Sequence, residues 1–204
     1  MYKRQFLLFG VFVFVGQEEM QLFIPEWWYI REFLFQPGGF CAVAGQWIIQ
    51  YYRQPMSAVV FHTVLLVGCG FMVYRILRCF SDKTYLLFLS LLPVLYLVKM
   101  SIHGEYLVDG TVGVVLMLLA LSVSLKVRRA GSIAGYGIAS TLFLCVLTGL
   151  LSVCYAFLYT LLALLRYKTS RQRLAASACL IPALFIYLFS GWLGIPVPLS
   201  DGWM

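Results

Sequence analysis

Apolar blocks separated by short charged clusters constrain this chain more than any motif in it. They run near 6–16, 56–77, 84–98, 111–125, 133–165 and 174–193. A helix of about 20 residues crosses the roughly 30 Å hydrocarbon core of a bilayer, and most of these blocks approach that length. Charged residues make up 11% of the chain and apolar residues 62%. Soluble domains carry roughly 25% and 45–50%, so a water-soluble fold built from this chain lacks the polar residues to cover its surface. The pattern predicts an all-α, polytopic transmembrane helix bundle.

The fifth block, 133–165, is too long for one span. As a single helix it would extend about 50 Å and set the basic clusters at its two ends on opposite sides of a membrane. Thr148-Gly149 lies near its middle, so the block divides into a tight hairpin, 133–148 and 150–165. Seven spans result. Short arms such as these and 84–98 fit by local thinning or by packing inside a bundle.

Met1-Tyr2-Lys3-Arg4-Gln5 reads like a translated sequencing adapter and is set aside. The block 6–16 is then a truncated first span. The rival reading, a signal peptide, lacks a cleavage site of small residues after Val15-Gly16.

Of the fifteen Lys and Arg, removing Lys3 and Arg4 leaves thirteen. Ten fall on one side of the seven-span path: Arg75, Arg78, Lys83, Lys126, Arg128, Arg129, Arg166, Lys168, Arg171 and Arg173. Arg31, Arg53 and Lys99 fall on the other, with seven of the eight acids. By the positive-inside rule, loops 75–83, 126–131 and 166–173 are cytoplasmic and loop 17–55 is outside, in a bacterial inner membrane. The net charge of +7 therefore reads as topology and lipid-headgroup contact. No basic stripe interleaved with aromatics points to nucleic acid. Six cysteines show no metal or disulfide spacing.

Within the spans, Pro93 and Pro182 predict kinks. Gly131, Gly135 and Ala139 recur at i, i+4 and i+8, which predicts close packing of that face, inside the bundle before between copies.

Loop 17–55 is where function is expected. Trp27, Trp28, Tyr29, Trp47, Tyr51 and Tyr52 are interfacial residues. A helix over 40–54 would align Gln46, Gln50, Arg53 and Gln54 on a polar face and lie amphipathically on the outer membrane surface. Pro37-Gly38-Gly39 makes a tight turn before it, and Pro55 separates it from the next span.

Glu19-Met20-Gln21-Leu22-Phe23, Pro37-Gly38-Gly39-Phe40, and Gln50-Tyr51-Tyr52 with Pro55 resemble the N-terminal region of an uncharacterised family of polytopic bacterial inner-membrane proteins, a domain of unknown function. Phe40 stands where Leu is usual, and Arg53-Gln54 where an aromatic is usual. The resemblance covers most of the chain and implies an N-terminal fragment of a longer protein. It carries over no catalytic residue.

More distantly, the order of span, outer loop and further spans resembles multi-spanning GT-C-type glycosyltransferases. That architecture makes Glu18 and Glu19, just after the first span, candidates for a general base or a metal ligand beside a polyprenyl-phosphate-linked substrate. The plain alternative is that both merely end the span. Trp27, Trp28, Pro37, Gly38, Gly39, Gln46, Gln50, Tyr51 and Arg53 would form a substrate- or lipid-facing loop. His103, Glu105 and Asp109 are weak metal candidates in the second outer loop, with a spacing that matches no defined site. His62, inside a span, is a further ionisable candidate. A non-catalytic scaffold is the second expectation. A transporter is the third, for want of intramembrane charge pairs. The sequence names no cofactor, substrate or oligomeric state.

Overall fold

A computed structural model describes residues 25–189, except 54, 82, 84, 103–107, 128–129 and 168. The leading five residues, the expected span 6–16, Glu18, Glu19, His103 and Glu105 lie outside the described residues. Among those described, the chain is all-α, without a strand.

In chain order the helices are α1 Trp27–Leu34, α2 Gly39–Ile49 with a 3-10 turn Gln50–Arg53, α3 Pro55–Arg78, α4 Leu86–Ile102, α5 Val108–Ser124, α6 Ala130–Thr148, α7 Leu151–Arg166, α8 Ser170–Ser177 and α9 Leu180–Leu188. Of the described residues, 25–31 and 41–115 form one compact unit, and 32–40 and 116–189 form a second. Two helical stretches, Met56–Arg78 and Gly131–Thr148, are long and apolar enough to cross a membrane. The other apolar helices are shorter.

In the first unit, α3 opens on Pro55, whose missing N–H costs nothing at a helix start. After a short connection α4 packs beside it, where Gly70 meets Val94. Pro93 sits inside α4, which continues past it.

In the second unit, α6 ends at Thr148, Gly149 takes a left-handed φ of 62°, and α7 begins at Leu151. The 33-residue apolar block is therefore two antiparallel helices. They are clasped by the Ser140 and Tyr155 hydroxyls at 2.7 Å and by the Tyr159 hydroxyl donating to the Ile133 carbonyl at 2.8 Å. Helices α8 and α9 pack on both arms. They are separate because Pro182 has no N–H for the Ala178 carbonyl, which accepts instead from the Ile181 N–H, three residues on, at 3.3 Å.

Burial on α7 is inverted relative to a water-soluble core. The buried residues of α7 are Ser152, Tyr155, Ala156, Tyr159, Thr160 and Ala163. Its exposed ones include Phe157, Leu161, Leu164 and Leu165. The buried hydroxyls are satisfied by carbonyls: Thr141 by Gly137, Thr148 by Leu144, Ser152 by Gly149 and Thr160 by Ala156.

One expectation about packing is corrected. Gly131, Gly135 and Ala139 are exposed, and a Cβ on either glycine would meet nothing within 4 Å. The close approach is at Gly137, where a Cβ would stand 2.8 Å from the Tyr159 ring and 3.2 Å from Cys179 Cβ. Gly137 shares its face with buried Ile133, Thr141 and Leu144. The 131–135–139 stripe is offset from that face by two residues, about 200° around the helix.

Candidate functional site

The loop that carries the sequence candidates folds as α1, the Pro37-Gly38-Gly39 turn and α2. Helix α1 turns Tyr29, Ile30 and Phe33 inward, while Trp27, at 72% exposure, Trp28 and Arg31 face out, as does Phe35 just past its end. Trp28 packs edge-on to Tyr29, with centroids 6.0 Å apart, and its ring N–H donates to the Glu26 carboxylate.

The turn that follows can be built only with glycine. Gly38 has a φ of 86°, where an L side chain is strained. A Cβ on Gly39 would lie 1.6 Å from the Phe33 carbonyl oxygen. In the second unit this turn seats on the tip of the α6–α7 hairpin. The Gly38 N–H donates to the Val146 carbonyl at 3.0 Å, and a Cβ on Gly149 would lie 3.4 Å from the Pro37 carbonyl oxygen. Two glycine turns thus meet backbone to backbone.

In the first unit α2 lies across the start of α5. Its contact point is Gly45, where a Cβ would be 2.8 Å from the Asp109 amide nitrogen and 2.9 Å from its Cα and Cβ. Asp109 stands in the first turn of α5, just before the apolar run 111–125, and accepts the Gly110 N–H at 2.6 Å. Burial pushes its carboxyl above the usual carboxylate range, and the Gly110 hydrogen bond opposes that rise. Beside it, Cys41 is buried. Burial first, and then the Asp109 charge, push its thiol up to about 12. The Tyr29 hydroxyl donates to Gln46 Oε1 at 3.3 Å.

Gln46 corrects the expected polar outer face. It is only 9% exposed and shares the inward side of α2 with Cys41, Gly45 and Ile49, whereas Phe40 and Trp47 face out. The polar amide is inside because Tyr29 supplies a partner there, and buried amides are retained where they are hydrogen-bonded. Gln50 and Tyr51 are exposed; Tyr51 bridges Trp47 and Phe61, at centroid distances of 5.2 Å and 5.3 Å. Arg53 ends the 3-10 turn, so the single helix expected over 40–54 stops at Ile49. His62 is half-buried in α3.

Asp109 is thus the one acidic candidate whose surroundings are described, and it is brought against Gly45 and near Cys41. No group of three or more His, Cys, Asp or Glu among the described residues could hold a metal. What the arrangement offers is a shielded carboxyl whose burial favours the protonated form. Sequence alone does not mark Tyr29, Cys41 or Gly45 as site residues. A lone glycine inside a helical stretch was the available signal for a close approach at Gly45.

The chain belongs to a family of unknown function, DUF6057, whose family model matches residues 5–199. Neither a curated protein nor a solved structure matches it.

Proposed function

We propose that this member of the family is a multi-pass bacterial inner-membrane protein that acts at the outer face on a lipid-linked substrate, in the manner of a GT-C-type glycosyltransferase. The inverted burial of α7 supports the membrane setting: Phe and Leu turned outward are at home in lipid, and small or hydroxyl side chains pack between helices.

The observation that carries the seven-span path is that its contacts join segments assigned to the same side. Gly38, from the first outer loop, meets the hairpin tip at Gly149. Gly45, from the same loop, meets Asp109 in the second outer loop. On the basic side, the Tyr167 hydroxyl donates to the Val127 carbonyl at 2.7 Å. A path with 133–165 as one span would put Gly149 in mid-membrane, far from loop 17–55.

In this reading Trp27, Trp28 and Phe35 hold α1 at the headgroup level. Glu18, Glu19 and Asp109 are the outer-face carboxylates available to deprotonate an acceptor. The exposed aromatic face of α1 also favours a second reading, a scaffold that docks a partner there without catalysis.

The topology is tested with Gln172→Cys in a chain whose exposed Cys79 and Cys154 are replaced by serine. Labelling from the cytoplasm only is expected, and labelling from outside refutes the path. The activity is tested by native mass spectrometry of the gently extracted full-length protein. A stoichiometric polyprenyl-phosphate or polyprenyl-linked sugar, lost in Glu19→Gln or Asp109→Asn, is the expected result. Only ordinary phospholipid, in repeated preparations, favours the scaffold.

A further inference from the structure

At the end of the second unit opposite the Gly38–Gly149 contact, three basic segments are drawn together. The Tyr167 hydroxyl donates to the Val127 carbonyl at 2.7 Å, and Arg173 Nε donates to the Tyr167 carbonyl at 2.7 Å. The residues after α5, the end of α7 and the first turn of α8 are thereby tied. Lys126, Arg166, Arg171 and Arg173 lie in or beside those tied segments, and Arg128, Arg129 and Lys168 adjoin them in sequence.

No Asp or Glu occurs anywhere in residues 110–200 to neutralise these seven cations. Arg166 Nη1 is buried and has no hydrogen-bond partner among the described residues. A guanidinium nitrogen without a partner is costly, and Arg166 as a residue is only half-buried, so the group can turn to a ligand at the surface. The surface beside it is apolar: Leu164 and Leu165 on α7, at 46% and 67% exposure, and Leu174 on α8 all face out.

We propose that this end of the unit binds the phosphate of an anionic phospholipid, with Arg166 as the direct contact and Lys126 and Arg171 as flanking cations. A guanidinium fork matches phosphate oxygens. The neighbouring leucines accept acyl chains, which a free phosphate would not use. Basic clefts between membrane helices on the cytoplasmic side are suited to such headgroups. The site rests on the membrane reading above and is independent of the proposed transfer activity.

The test reconstitutes the full chain in nanodiscs of phosphatidylcholine with and without phosphatidylglycerol and counts retained lipid by native mass spectrometry. Wild type should retain one phosphatidylglycerol in preference to phosphatidylcholine. Arg166→Gln should lower that retention roughly fivefold, the effect of one juxtamembrane cation, and Arg166→Lys should fall between. Arg171→Gln alters an exposed side chain, so it tests the site even if Arg166→Gln fails to fold, and it too should lower retention. Equal retention in wild type and variants, with the protein incorporated, overturns the site and leaves the membrane reading standing. Displacement of the lipid by millimolar inorganic phosphate assigns the site to a free anion and overturns the lipid. Failure of the wild-type chain to incorporate overturns both.

Discussion

Alanine in place of glycine should have opposite effects at two positions, Gly39 and Gly68. At Gly39 the new Cβ would sit 1.6 Å from the Phe33 carbonyl oxygen and 2.5 Å from its carbon. That overlap is with backbone, which no rotamer change relieves, so the turn must open. Opening it releases the Gly39 N–H to Gln36 carbonyl bond at 2.9 Å, the Gln36 N–H to Phe33 carbonyl bond at 2.9 Å, and the Gly38 N–H to Val146 carbonyl bond at 3.0 Å. At about 1 kcal/mol each, the loss is about 3 kcal/mol. For a domain of this size that lowers Tm by about 6–12 °C. At Gly68, inside α3, a Cβ meets nothing within 4 Å. There alanine gains helix propensity, about 1 kcal/mol, and should raise Tm by about 2–4 °C. The assay is thermal exposure of the buried thiols Cys41, Cys69 and Cys179 to a thiol-reactive fluorophore in detergent. Gly39→Ala melting with wild type would refute the glycine-only turn. Gly68→Ala melting well below wild type would mean that its face of α3 is packed.

Tyr159→Phe removes the donor to the buried Ile133 carbonyl and should cost about 1–3 kcal/mol, read as a lower Tm in the same assay. Asp109 gives a pH signature. Its folded-state pKa is raised by burial, so its contribution to stability is complete below the unfolded carboxylate value and is lost as pH rises through the folded one. Wild type should therefore gain Tm relative to Asp109→Asn on acidification from neutrality, and parallel profiles would refute that burial. Gly45→Ala should force α2 away from the start of α5 at a cost of about 1–3 kcal/mol, visible as faster labelling of Cys41; unchanged labelling would contradict the contact. Trp27→Ser with Trp28→Ser should leave Tm unchanged, since both rings are exposed, and should reduce quenching of tryptophan fluorescence by headgroup-level probes. A clear drop in Tm would show that α1 packs through that face.

Several helix starts and stops were legible in the residues alone, though not the stop at Ile49 inside the expected 40–54 helix, nor the break at 178–179 inside the expected span 174–193. Long apolar runs make α3 and α6, Gly149 breaks the long block, and Pro37-Gly38-Gly39 ends the first aromatic helix; Pro182 reads from sequence only as a kink. These features act through backbone dihedrals and missing donors, which are local properties and therefore readable from a string of residues. Cations in the last turns of helices, such as Arg75, Arg78 and Arg166, are equally local features.

Which face of each helix turns inward was decided only by the tertiary structure. Gln46 goes in because Tyr29 meets it, Gly137 goes in and Gly131, Gly135 and Ala139 stay out, and Asp109 is covered because Gly45 lets α2 come close. A helix that is apolar on every side carries almost no periodic signal of its orientation. The choice then falls to close backbone approach and to hydrogen bonds between residues distant in sequence, and those exist only once the chain has folded.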